Sequence, residues 1–172
     1  MLRADALVAL AGILCLGAGG PELVEMNVAA VLPLRGGGGA VILIDSKGSK
    51  ALSISVGGTE ALSIQLRHAK QRFGRPLTHD LLESIVREMG GKVVRAQVDE
   101  IRGEAYIGSV FIQTGGRVAR IDARPSDAIA LALGNGLPVF VSRTVLDAAG
   151  VAPDSLEEPE KTPATRKRRG PI

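Results

Sequence analysis

Several residue types are scarce in this chain, and each scarcity excludes something. Tryptophan is absent, and Phe73, Tyr106, Phe111 and Phe140 make up the whole aromatic set. The core must therefore be built from Val, Ile, Leu and Ala, which at 45% hydrophobic residues are abundant enough. Rows of aromatics that stack single-stranded bases are not expected. The single cysteine, Cys15, excludes an intramolecular disulfide and a cysteine-based zinc site. With only His68 and His79 there is no histidine-rich metal set, no histidine-asparagine-histidine finger and little support for a serine triad. No apolar run is long enough to span a bilayer. Ala6 to Leu16 suits the apolar region of a signal peptide instead, although Arg3 is its only flanking cation and Asp5 is unusual there. An exported location follows if residues 1–20 are a signal peptide, and a cytoplasmic one otherwise.

A strong excess of one charge is also missing. The net charge is +3, and residues 154–172 contribute +1 of it through Lys161, Arg166, Lys167, Arg168 and Arg169 set against Asp154, Glu157, Glu158 and Glu160. A nearly neutral body must rely on local clustering for any phosphate contact. The length of 172 residues suits one domain with tails: a leader over 1–24, a domain over 25–151, and a Pro-rich, charged, disordered tail over 152–172. The basic run near the C-terminus reads first as a solubilising tail and second as a non-specific anion contact.

What is present is a clear alternation of elements. Met26 to Pro33 and Ala40 to Asp45 read as a hairpin joined by the turn Gly36-Gly37-Gly38-Gly39, and Lys50 to Val56 as a third strand with Leu52, Ile54 and Val56 alternating against serines. The glycine run lacks the lysine and hydroxyl of a phosphate-binding loop. A helix starts near Glu60 and continues to about Phe73, with Leu62, Leu66, Ala69 and Phe73 on one face. A second helix begins at Thr78 and carries Leu81, Leu82, Ile85, Val86 and Met89 as an amphipathic stripe ended by Gly90-Gly91. Val93 to Ile101 and Glu104 to Gln113 form a second hairpin. Val118 to Ala123 is the central strand, followed by a helix ending near Gly134. Pro138 to Val141 is a last strand and Thr144 to Ala149 a short helix.

Two of these helices start the same way. Arg75-Pro76 precedes one and Arg124-Pro125 the other, about fifty residues later. Proline lacks an N–H and fixes φ, which suits a first helical turn, and it pushes the residue before it toward extended backbone. Asp122, Arg124, Ser126 and Asp127 are thus gathered at one strand-to-helix corner, and Arg75, Thr78, His79 and Asp80 at the other. Thr78 is the expected N-cap. The pair suggests an internal duplication of a three-strand-plus-helix unit, giving an α+β fold with a mixed sheet packed against helices.

The segments Arg75 to Leu82 (RPLTHDLL) and Ile121 to Leu133 (IDARPSDAIALAL), with Ala51 to Gly57, Glu60-Ala61 and Leu137 to Val141, resemble the bifunctional nuclease (BFN) domain family of bacteria and plants. The resemblance runs from about Glu25 to Gly150. It implies an α+β domain built by duplication, often oligomeric, with activity on DNA and RNA. Phosphodiester cleavage needs an activated water and stabilisation of charge on the phosphate, commonly through a carboxylate-bound Mg²⁺ or Mn²⁺. On that reading Asp122, Asp127, Asp80 and His79 are the candidate catalytic groups. Arg75, Arg124, Ser126, Thr78 and Glu60 are the candidate substrate contacts.

Each has a plainer alternative. Asp80, Asp127 and Glu60 suit helix starts. Asp122 and Arg124 could pair along one strand. Arg75 and Arg124 could each anchor a carboxylate of the other half. The functional alternative is a non-catalytic homo-oligomeric scaffold or small-anion-binding module.

Overall fold

The computed structural model describes residues 20–156; most of the expected leader and tail lie outside them. The elements follow in the expected order. Strands β1 (Leu23–Pro33), β2 (Gly39–Asp45) and β3 (Ala51–Val56) come first, then helices α1 (Gly58–His68) and α2 (Thr78–Glu88). Strands β4 (Gly91–Arg102), β5 (Ala105–Thr114) and β6 (Arg117–Ala123) follow. Helix α3 (Pro125–Gly134), strand β7 (Val139–Ser142), helix α4 (Arg143–Ala149) and a 3-10 turn at Pro153–Ser155 complete the described residues. The fold is α+β, with one mixed seven-stranded sheet in the order β3-β2-β1-β7-β4-β5-β6. An antiparallel meander therefore lies on each side of β7, which pairs antiparallel with β1 and parallel with β4. Beyond the last helix, Val151 returns to the outer strand, exchanging two backbone hydrogen bonds with Ala51.

Period-two patterning explains the strands. In β3, Leu52 and Ile54 are buried while Ser53 and Ser55 face solvent. The β1–β2 turn requires glycine at Gly38, where φ is +83° and a Cβ would meet the Val56 carbonyl. Helix α3 is buried from Ala128 through Ala132, its alanines allowing close approach to the sheet. Removing Ile129 and Leu131 from water contributes roughly 2 kcal/mol each.

Four expectations are corrected. Residues 117–123 form an edge strand rather than the central one, because β6 pairs only with β5. Helix α1 ends at His68 instead of near Phe73. Lys70 turns into left-handed backbone at φ 54°, and the Lys70 and Gln71 amides cap the Arg67 and Leu66 carbonyls. A lysine holds that position at a cost of roughly 1 kcal/mol relative to glycine. The buried face of α1 consequently carries Ala61 and Ile64, whereas Leu62 and Phe73 are exposed. Helix α2 has Leu77 rather than Thr78 at its N-cap, and its apolar stripe of Leu81, Leu82, Ile85 and Met89 faces outward. What repeats across the sheet is a meander followed by a helix. The Arg-Pro pairs do not repeat in register: Pro125 is the first residue of α3, whereas Pro76 precedes the α2 cap.

Candidate functional site

Helices α1, α2 and α3 meet on one side of the sheet, and their polar residues form a connected network at the start of α3. Arg124 is the extended N-cap (φ −66°, ψ 147°), as its position before proline dictates. Its guanidinium grips Asp127 with two bonds, Nε to Oδ2 at 2.8 Å and Nη2 to Oδ1 at 2.9 Å. Nη2 also donates to Glu60 Oε1 at 2.8 Å, joining α3 to the first turn of α1 across 64 residues. On the other side of Asp127, His79 Nε2 lies 3.1 Å from Oδ1, and His79 Nδ1 lies 2.9 Å from Ser63 Oγ.

The electrostatics favour the ionised forms. Burial pushes the Asp127 carboxyl up, but the hydrogen bonds and charges of Arg124 and His79 outweigh it and hold the group below its ordinary value. Glu60 is lowered first by its own backbone N–H and then by Arg124. Arg124 is raised, by Asp127 and then by Glu60.

The Asp127 carboxylate decides which His79 nitrogen must carry a hydrogen. A carboxylate only accepts, so Nε2 carries the hydrogen and donates to Asp127. In the neutral ring Nδ1 is then the acceptor and Ser63 donates to it. The lone pair of neutral His79 therefore points to buried Ser63, away from solvent. The sequence Ser63–His79–Asp127 has the members of a nucleophile relay, but Ser63 is 3% exposed and out of a substrate's reach. The exposed member of the network is Arg124.

A second brace lies at the other end of α1. Arg67 donates to Glu83 Oε1 at 2.5 Å and to Asp80 Oδ1 at 2.7 Å, and reaches the Ala130 carbonyl at 3.3 Å. Asp80 Oδ2 also accepts from the Leu77 N–H at 2.8 Å, capping α2. Gly134 leaves room for this pair, since a Cβ there would overlap the Arg67 guanidinium and the Glu83 carboxylate.

The structure thus brings together Asp127, His79, Arg124 and Glu60, and separates the other candidates. Asp80 serves Arg67 and its own helix cap. Asp122 is exposed on β6 and makes no pair with Arg124, whose side chain has left the strand for the helix side. Arg75 is exposed with no partner among the described residues; the second arginine that holds carboxylates is Arg67, which joins α1 to α2. Thr78 is exposed without a capping bond, and Ser126 is buried and forms no side-chain hydrogen bond. Sequence reasoning missed Ser63, Arg67 and Glu83. A signal for two of them existed: Glu60, Ser63 and Arg67, at i, i+3 and i+7, form one polar stripe on α1.

A third cluster was also missed, on the β4–β6 side of the sheet. Asp99 accepts from Gln97 Nε2 and from Ser109 Oγ at 2.5 Å, and lies 3.1 Å from Arg120 Nη2. Arg120 Nε donates to Ser109 Oγ at 2.7 Å. Nearby, Arg95 stacks 3.8 Å over the Phe111 ring.

The donor set does not fit a divalent cation. Both Asp127 oxygens and Glu60 Oε1 already face Arg124, His79 has a partner at each nitrogen, and no group of three or more His, Cys, Asp or Glu among the described residues is placed to hold a metal. No helix among the described residues is long and apolar enough to cross a membrane.

Comparison with known proteins adds two findings. Residues 41–154 match the bifunctional nuclease domain. The chain is also 33% identical over 129 residues to two proteins of Mycobacterium tuberculosis, covering 74% of this chain and 76% of each relative. They are the uncharacterized protein Rv1829 of strain ATCC 25618 / H37Rv and the uncharacterized protein MT1877 of strain CDC 1551 / Oshkosh.

Proposed function

The chain belongs to the bifunctional nuclease domain family, and from that premise we propose that it hydrolyses phosphodiester bonds of DNA and RNA with little sequence specificity. The observation that carries the reading is the convergence of Arg124, Asp127, Glu60 and His79 from three helices around one solvent-facing guanidinium. Arg124 retains Nη1 for a non-bridging phosphate oxygen. Asp127, ionised and oriented by His79 Nε2–H, takes on Oδ2 the proton of an attacking water; the water oxygen bonds to phosphorus as the P–O bond to the leaving sugar oxygen breaks, and the proton passes on to that oxygen. His79 acts on Asp127 and is a positioning residue.

The test is degradation of supercoiled plasmid and of RNA by highly purified protein, with Mg²⁺, with Mn²⁺ and with a chelator. Parent protein is expected to cleave both substrates, while Asp127→Asn and Arg124→Ala, checked for folding by circular dichroism, lose about 100-fold or more. Variants that cleave as well as the parent remove the site assignment.

The second reading is a non-catalytic homo-oligomeric scaffold or small-anion-binding module. It is favoured by the exposed α2 stripe of Leu81, Leu82, Ile85 and Met89, which a second copy of the chain would cover. Sedimentation velocity is expected to show an oligomer that Ile85→Glu dissociates. A parent that is inert with every ion, together with a stable oligomer, selects this reading.

A further inference from the structure

Beside the network lies a cleft of about 470 Å³, walled by the α1–α2 loop and by α2. Its floor contains the brace, where one buried cation, Arg67, faces two carboxylates, Asp80 and Glu83. Its rim carries Lys70, Arg72 and Arg87, none of whose side chains has a hydrogen bond or ion pair among the described residues. The floor sums to −1 and the rim to +3, so the cleft is positive although the chain is almost neutral. Three unpaired cations around one concavity repel each other, and an anion relieves that repulsion. Lys70 occupies a left-handed position where glycine is the ordinary residue, which keeps an ammonium on the rim.

The same cleft holds Phe73, 56% exposed, one of only four aromatic residues in the sequence. The other three are not among the exposed large hydrophobics. An apolar ring left in solvent between cations offers a flat face to a base and charge to the phosphates on either side. We propose that this cleft binds single-stranded nucleic acid, with Phe73 stacked on one base and Lys70, Arg72 and Arg87 on the neighbouring phosphates. The cleft differs from the Arg124 corner but adjoins it. Asp80 lines the cleft and the adjacent His79 belongs to the network. The proposal stands whether or not the network cleaves anything, so its test is binding rather than turnover.

The experiment is fluorescence anisotropy of a labelled twelve-nucleotide oligo-dT and oligo-U with the full chain, in chelator, over a range of NaCl. Phe73→Ala is expected to weaken binding roughly tenfold, and Phe73→Leu nearly as much because it lacks a π-face. Arg72→Ala and Arg87→Ala are each expected to flatten the log K against log salt slope by about 0.7. All are surface substitutions, and unchanged thermal melting confirms that they fold. Arg117→Ala removes an exposed cation of β6 that lies outside the cleft and is expected to bind as the parent does, which ties the effect to this cleft rather than to overall charge. A parent that does not bind, or Phe73 and Arg72 variants that bind like the parent, would overturn the proposal. It would also fail if duplex of equal length bound as tightly and ignored Phe73, or if free AMP bound as tightly as the oligonucleotide, which would make the ligand a mononucleotide.

Discussion

The two ends of α1 solve the same electrostatic problem with opposite exposure. At the first turn Arg124 is shared by Glu60 and Asp127; at the last turn Arg67 is shared by Asp80 and Glu83. The Arg124 side chain is 65% exposed and the Arg67 side chain 9%. A guanidinium withheld from water can only brace the helices it joins. One that keeps a face in solvent can brace them and still engage an anion. The comparison therefore divides the molecule's polar groups into a clamp and a site, although both have the same composition.

The largest effect that could break this comparison is on stability. Arg67→Met leaves Asp80 and Glu83 without their cation and is expected to lower unfolding free energy by about 3 kcal/mol. Arg124→Met is expected to lose about 1 kcal/mol or less. Urea denaturation of the two variants side by side decides it, and equal losses would erase the distinction. Next in size is Gly134→Ala, whose methyl group displaces the Arg67–Glu83 pair and is expected to cost about 2 kcal/mol. Gly116→Ala, with open space around it, is the control.

The smallest effect is on acid stability. Asp127 and Glu60 lie below their ordinary values of 3.8 and 4.5. Their ionised forms therefore favour the folded chain, a contribution complete above those values and lost as pH falls through the lower folded ones. An Asp127→Asn/Glu60→Gln double variant is expected to be less stable than the parent at pH 7 by about 1 kcal/mol. Urea midpoints taken down to about pH 2 should converge. A gap that persisted in acid would assign the difference to packing.

The order of elements was legible because it depends on local pattern. Alternation marked Leu52 and Ile54 on β3, glycines marked the turns, and Arg124-Pro125 marked the start of α3. Neighbour choice is not local, so nothing in Val118 to Ala123 announced an edge strand. The end of α1 was missed because Lys70, not glycine, makes the left-handed turn. For the site, Asp127, His79, Arg124 and Glu60 were named from their positions near helix starts, but their convergence was not visible. Glu60 and Arg124 are 64 residues apart in sequence, and only the packing of α1 on α3 brings them together. The opposite error was to group Asp122 with Arg124. Two residues of spacing suggested a shared face, but the proline had already turned the chain.

Strand β7 sets a constraint on biosynthesis. Its four residues join the two meanders within the sheet, yet they follow both in the chain. While the ribosome is still delivering residues before Val139, the first three strands and the next three can each form hairpins but lack the strand that unites them. Closure of the sheet therefore waits until β7 itself has been made. Until then the β1 and β4 margins that β7 will cover stay unpaired, the state in which a strand edge is most open to other chains.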